Sequence, residues 1–343
     1  MEWASEDFFQ RGAILTDKRD GSLILAKGGE IREVSEIPSD SAGKFYLKDF
    51  FKPTYIEYSP AQSRRINPSE FILPDSSASF IEDSDEEDIY ERDFKNLISS
   101  FDQDLQKVVL ISRKNYLPSH FHKAKRQMIA RASSFGEGIS YGFWTEDFGI
   151  VGATPEILFE TTGLELKTYA LAGTAPKHLS EDLLSSQKDL HEHELVIKNI
   201  TEVLNSFSEL IDKGETRTFP FRNLVHLRTD ISAKLKDKKL VSEILPRLSP
   251  TAALGGYPKD EALRFLMNSE YYSKYPQRIF GSAFGFFEEN YSQFVVMIRN
   301  IQWKEEKFFI ESGGGIVKES ELSKEIEELR LKRKIIEEYF LET

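Results

Sequence analysis

Four carboxylates stand in two pairs at helical spacing. Asp189 and Glu192 lie three residues apart in QKDLHEHELV, and Glu325 and Glu328 repeat that interval near the C-terminus. Residues three apart on a helix share a face, so two such helices set face to face would present a cluster of hard oxygen ligands. That donor set suits Mg2+, which takes one or two carboxylates and completes its shell with water and an anionic substrate. On spacing alone each pair reads equally well as a solvated helix face. The run His191 to Glu194, HEHE, invites a zinc reading, but the helical HExxH motif needs a second histidine at position 195, where the chain has Leu195.

Other residues offer proton transfer and anion binding. Lys107 opens the apolar run KVVLISR, and Glu156 lies in the turn GATPEIL. A lysine of ordinary pKa, about 10.4, is charged at pH 7 and serves as a base only where burial or a cationic neighbour lowers it. His226, in LVHLRTD, has the surroundings of a core histidine that donates to backbone. Arg299, in VVMIRN, places a planar guanidinium fork, well shaped for a carboxylate, in an apolar strand. Gly313, Gly314 and Gly315 follow a strand and precede the last helix, offering unhindered N–H groups and a helix N-terminus to an anion. The segment Leu248 to Ala262, LSPTAALGGYPKDEA, joins a Pro-Thr turn, a Gly-Gly pair and a helix start, the makings of a pocket wall.

These residues must be positioned by an α+β scaffold. Short strands and loops fill residues 1 to about 75, and the polar, acidic stretch from Pro74 to Asp93 reads as a flexible connection into a helix near Phe94 to Phe101. Strands are expected at Lys107 to Arg113, Ile139 to Val151 and Glu156 to Tyr169, then a long helix on the apolar spacing of Leu183 to Val203. Short helices at Lys239 to Arg247 and Lys259 to Met267 precede strands at Arg278 to Phe287, Gln293 to Trp303 and Phe308 to Glu311. A helix from Glu319 to Phe340 closes the chain. The order predicts mostly antiparallel sheets flanked by helices. The acidic linker divides the chain into an N-terminal part, 1–93, and the denser region 94–343.

Composition narrows the function. The 343 residues are 40% hydrophobic, enough for a large core. Cysteine is absent, which removes disulfides, thiolate catalysis and Cys-ligated metals. A net charge of -12 argues against a nucleic-acid surface. The N-terminus has no basic start or apolar run, and no window approaches bilayer length, so a cytoplasmic protein that spans no membrane is the expectation. The acidic surface shows no self-complementary patch and points to a monomer.

Taken together, GATPEILFE, LAGTAPK, QKDLHEHELV, VHLRTDI, PTAALGGYPKDEAL, RIFGSAFGF, VVMIRN and ESGGGIV resemble the chorismate-utilising enzyme family, which includes anthranilate, aminodeoxychorismate, isochorismate and salicylate synthases. The likeness runs from about Lys107 to the C-terminus with the motifs in family order, and implies that 1–93 is a divergent N-terminal part of the same domain and 94–343 its chorismate-binding catalytic region. It implies the anthranilate synthase component I-like fold, with two antiparallel sheets flanked by helices, a buried chorismate site and Mg2+. Aminodeoxychorismate synthases carry a lysine nucleophile where this chain has Ala172. Anthranilate synthases lack the lysine that KVVLISR provides and usually read Gly-Thr at Ala252-Ala253. The pattern is most similar to isochorismate synthases, whose product enters menaquinone or siderophore biosynthesis.

By that resemblance Lys107 is the base that activates water for attack at C2 of chorismate, and Glu156 the acid that protonates the departing C4 hydroxyl. Glu192 and Glu328 match the Mg2+ ligands, with Asp189 and Glu325 as neighbours. Arg299 and Gly313 to Gly315 match groups holding substrate carboxylates, and Gly173 and Thr174 the pocket floor. His226, Ala253, Leu254 and Lys332 complete the implied substrate contacts. Leu329 stands where many members have Thr and Phe280 where some have Tyr, and neither removes a charge that the mechanism needs. A salicylate synthase, another chorismate-utilising synthase and a catalytically silent chorismate-binding protein share much of this pattern. An amidotransferase subunit is not expected.

Overall fold

The structure, a computed structural model, describes residues 3, 5–38, 41–71, 78–101, 104–134 and 136–342. The first of these carry α1 (Glu6–Gln10), β1 (Gly12–Thr16), β2 (Leu23–Lys27), β3 (Glu30–Val34), β4 (Phe45–Lys48), β5 (Tyr55–Ser59), β6 (Gln62–Ile66) and β7 (Phe80–Asp85). The middle carries α2 (Glu87–Ser100), β8 (Lys107–Pro118), α3 (Phe121–Ser133), β9 (Ile139–Trp144), β10 (Phe148–Thr154), β11 (Ile157–Thr162), β12 (Glu165–Pro176), α4 (Ser180–Leu183) and α5 (Gln187–Phe207). Then come β13 (Ser208–Lys213), β14 (Arg217–Phe221), β15 (Leu224–Leu235), α6 (Val241–Leu248), β16 (Gly256–Tyr257), α7 (Lys259–Met267) and α8 (Glu270–Lys274). The chain closes with β17 (Ala283–Phe287), β18 (Tyr291–Val296), β19 (Asn300–Lys304), β20 (Lys307–Ile316) and α9 (Leu322–Phe340).

Two antiparallel sheets organise the molecule. One runs β16-β8-β20-β19-β10-β9-β1-β2-β6, with β7 also on β8; the other runs β13-β15-β12-β11-β18-β17-β4-β5-β3, with β14 also on β15. Their inner faces meet in one core. Along β1, Ala13 and Leu15 join that core while Ile14 faces the opposite side, and β2 alternates likewise between Ile24 and Leu25. This period of two is the pleat itself, and because both faces are covered the strands read as apolar runs rather than alternating ones. Ala124, Met128, Ile129 and Ala132 of α3, with Ile336 and Phe340 of α9, cover the outer face of the first sheet. Leu195, Val196, Ile200 and Leu204 of α5 cover that of the second.

Several elements depart from the sequence reading. The acidic stretch is not a flexible connection where it is described: Glu82 and Asp85 lie on β7 and Glu87 opens α2, while residues 74–77 fall outside the described residues. Its charges are matched by bases distant in sequence, with Lys114 at 2.9 Å from Glu82, Lys274 at 2.7 Å from Glu86, Arg330 at 2.6 Å from Glu87 and Arg333 at 2.5 Å from Asp85. Local composition cannot show such partners. The glycine run is not a loop either. Gly313 to Gly315 sit inside β20, opposite Ile111 to Val109 of β8, and α9 starts only at Leu322, so no helix N-terminus stands beside them. The expected strand 293–303 breaks at Met297 to Arg299 between β18 and β19.

Arg333 is 3% exposed and bonds both Asp85 and Ser112, tying α9 to β7 and β8. Arg333→Met should lower stability in urea unfolding by about 2 kcal/mol, since it strands Asp85 at a partly buried site. An unchanged unfolding midpoint would show that this pairing contributes nothing to the fold.

Candidate active site

The site forms where β8 and β20 run beneath α5 and α9. Lys107, the first residue of β8, is fully buried, and its Nζ lies 2.9 Å from Glu192 Oε1 on α5. The ammonium makes no aligned hydrogen bond there, so the contact is one of charge. The pair crosses directly over Gly315: a Cβ at that position would lie 2.1 Å from Glu192 Oε1 and 2.7 Å from Lys107 Cε. This is the physical reason for the glycine run. A bare strand lets charged side chains from two helices lie against the sheet.

Two more lysine–carboxylate contacts repeat the arrangement. Lys188 Nζ donates to Glu325 Oε1 at 2.6 Å, joining α5 to α9, and Lys332 pairs with Glu328 one turn away while donating to Gly313 O at 2.8 Å. Asp189 is partly committed to the helix start, where Ser186 Oγ accepts from its N–H and donates to its Oδ2 at 2.5 Å. Burial pushes the Asp189 pKa up, and the charges of Glu192 and Glu328 add to the rise. Burial also acts to raise Glu192, but Lys107, Lys188 and Lys332 outweigh it and hold that carboxyl below its usual range. The sequence-predicted metal residues therefore meet in one electrostatic neighbourhood.

Among the described residues, no three Asp, Glu or His side chains converge closely enough to close a coordination shell. The donors nonetheless fit a hard cation. Glu325 Oε2 is buried with no aligned partner, and its carboxyl is pushed up first by burial and then by the charge of Glu328, against Lys188 and the Ser320 hydroxyl. Tyr90 of α2, which sequence reasoning missed, is fully buried beside the same carboxylates with its hydroxyl unpartnered. Nothing in its acidic surroundings signals it. Lys188 was missed too, although it adjoins Asp189.

Glu156 stands at the turn into β11, with its N–H on Thr154 Oγ1 at 3.0 Å and its carbonyl accepting from Val296 N at 3.0 Å. Burial raises its pKa to about 8, against the pull of Lys107, Arg299 and Lys332, so it is a neutral acid at pH 7. Arg299 sits in the break between β18 and β19 with φ 56°, which a bulky residue adopts only when its surroundings hold it. Asn300 Nδ2 donates to Met297 O and to Tyr141 Oη, both at 2.9 Å, and Tyr141 donates to Ile298 O at 3.0 Å. Burial lowers Arg299 to about 10, so it stays cationic at neutral pH, and Glu328 and Glu156 lie in its field.

Gly173 makes a bulge in β12 at φ 69°, re-aiming Thr174 toward its partner His226 on β15. His226 Nδ1 lies 3.1 Å from both Gly173 O and Thr174 Oγ1. A carbonyl only accepts, so Nδ1 carries the proton and the unpartnered Nε2 presents a lone pair. The histidine does donate to backbone, and it also faces the charges of Arg299 and Lys332. His193 of the HEHE run instead packs its Nε2 at 2.8 Å on Thr229, a core contact. Ala252 to Tyr257 lies beside Lys107: β16 pairs Gly256 with Val108 and Tyr257 with Lys107. Leu254 is buried there against Gly281, with its carbonyl held by Arg278 at 3.2 Å, and Ala253 is half-buried next to it.

Burial first, then Arg299 and Lys332, push the His226 pKa down to about 3. Unfolded, the same ring takes a proton near 6.5, so its contribution to stability is whole above that pH and is lost as pH falls toward 3. Between pH 6.5 and 5 the loss is about 2 kcal/mol. Urea unfolding at pH 7 and pH 5 should show a smaller drop for His226→Gln than for the unaltered chain, and equal drops would mean the ring is charged in the fold.

Known proteins resemble this chain in sequence and in fold. A family model described as chorismate binding enzyme matches residues 61–340. The salicylate biosynthesis isochorismate synthase of Pseudomonas aeruginosa is 32% identical over 192 residues, 53% of this chain and 40% of that protein. The isochorismate synthase MenF of Pasteurella multocida is 30% identical over 208 residues, 57% of this chain and 47% of its own. The chain thus spans about half the length of the curated relatives it matches. The solved structure of MenF, the menaquinone-specific isochorismate synthase from Escherichia coli, has a TM-score of 0.85 at 19% identity, covering 99% of this chain and 90% of that one, which shows the fold.

Proposed function

The chain belongs to the chorismate-binding enzyme family, and from that premise we propose that it is an isochorismate synthase. It converts chorismate reversibly to isochorismate, adding water at C2 as the C4 hydroxyl leaves, at the entrance to menaquinone or siderophore synthesis. The observation that carries the reading is Glu156, a buried carboxyl that is neutral at pH 7 within the field of Lys107, Arg299 and Lys332. Loss of a hydroxyl needs a proton donor, and a carboxyl of pKa about 8 is protonated yet able to give its proton up.

The opposite half of the reaction needs a base for the attacking water, the role proposed for Lys107. Glu192 holds its ammonium in the present arrangement, so base chemistry requires that carboxylate to release it. Arg299 and Lys332 are the cations available to orient the substrate carboxylates, and the lone pair of His226 Nε2 would accept from a ring hydroxyl. Mg2+ is the proposed cofactor: Glu192, Glu325 and Glu328, with Asp189 behind them, form the hard oxygen set that would hold it, and when bound it neutralises a substrate carboxylate. The substrate chorismate is itself anionic, which the cationic groups of the pocket match despite the acidic chain.

Incubating the purified chain with chorismate and Mg2+, with and without ammonia, should give isochorismate in equilibrium with chorismate. Salicylate with pyruvate would make it a salicylate synthase, an aminated product formed only with ammonia would contradict the role of Lys107, and no turnover would leave a chorismate-binding protein. Lys107→Ala and Glu156→Gln should each lower kcat by about 10²- to 10⁴-fold. In the unaltered chain kcat should fall as pH rises through about 8, because the acid form of Glu156 is lost there. A flat alkaline profile would remove Glu156 from the proton-donating role.

A further inference from the structure

One polar group near the carboxylates is used by none of the steps above. Tyr90 comes from α2, in the acidic part of the chain where no motif lies, and its ring packs in the core shared with Val108, Leu110 and Leu329. Its hydroxyl is buried and has no hydrogen-bond partner. Leaving a hydroxyl buried and unmatched costs about 1–3 kcal/mol, which phenylalanine would avoid with the same packing. The hydroxyl is not isolated from polar groups, however. A Cβ placed on Gly314 would lie 3.5 Å from Tyr90 Oη and 3.2 Å from Glu325 Oε2. Both atoms therefore border the same small space above the strand, one a donor and one an acceptor, and each lacks an aligned partner.

We propose that Tyr90, Glu325 Oε2 and the bare backbone of Gly314 form a one-oxygen site for a water molecule belonging to the shell of a divalent cation, so that Tyr90 is a positioning residue for that cation. The inference rests on the Mg2+ reading given above. A water there accepts from the phenol and donates to Glu325 Oε2, which supplies the two polar partners that a buried water needs at the least. Its remaining lone pair is free for the metal, and Mg2+ keeps several waters of its own when proteins bind it. Burial, followed by the charges of Glu325, Glu328 and Glu192, keeps the phenol protonated and hence a donor. Lys188 completes the placement by fixing Glu325 through Oε1 and leaving Oε2 to the site. Gly314 is needed because a methyl group would fill the space.

Calorimetric titration of the full chain with Mg2+ tests this without reference to turnover. Tyr90→Phe keeps the ring and Gly314→Ala fills the space, and each should weaken Mg2+ binding about tenfold, the usual scale for groups that act through a ligand. Thermal unfolding without the cation should change little in Gly314→Ala and should leave Tyr90→Phe as stable as the unmodified chain or more so. If Tyr90→Phe unfolds early, Gly314→Ala carries the test. Unaltered Mg2+ affinity in a folded variant would overturn the role of Tyr90 while the unmodified chain still bound Mg2+. Absence of Mg2+ binding by the unmodified chain would overturn both this proposal and the cofactor reading beneath it.

Discussion

Everything at the site depends on how closely two helices can bring charge against a β-strand. At Gly315 the Lys107–Glu192 contact occupies the place where any other residue would put its first side-chain carbon. The neighbouring glycines extend the same bare floor, with Gly313 giving its carbonyl to Lys332 and Gly314 lying under Glu325. Replace Gly315, and α5 could no longer bring Glu192 against Lys107 at this point. The two sheets, their shared core and the outer helices serve to hold this floor and its ceiling in register.

Burying charge is expensive, and the structure handles the expense by pairing. An ion taken out of water into a protein interior carries a penalty of several kcal/mol after relaxation. Glu192, Glu325 and Glu328 each meet a lysine, and the net field is positive enough to keep Glu192 ionised. Glu156 differs from them. It has no lysine in contact, feels the cations only at a distance, and so responds chiefly to desolvation and stays neutral. The same principle in one pocket thus yields an ionised carboxylate, Glu192, fit for a cation and a neutral carboxyl, Glu156, fit for proton donation.

Much of this was legible in the sequence, and the limits have physical causes. The fold class followed from apolar runs and helical spacing, and the i, i+3 pairs Asp189/Glu192 and Glu325/Glu328 pointed to shared faces because helix geometry is local. The glycine run was read as an anion-binding loop because its local signal is the same in both settings; only the pairing of β20 with β8, some 200 residues apart in sequence, tells a floor from a loop. The acidic stretch was read as a flexible connection because its partners Arg330 and Arg333 lie near the far end of the chain. Tyr90 shows the limit most clearly, since its value comes wholly from what α9 and β20 place around it.

The central claim is that burial keeps Glu156 neutral at working pH in the pocket whose lysines keep Glu192 ionised. Infrared difference spectroscopy reads a protonated carboxyl directly by its C=O stretch, and comparison of the unaltered chain with Glu156→Gln isolates the band of this residue. The account predicts a neutral-carboxyl band present at pH 7 that fades with a midpoint near 8 and is missing from the variant. A band already gone at pH 7, with the carboxylate signal of Glu156 in its place, would contradict it.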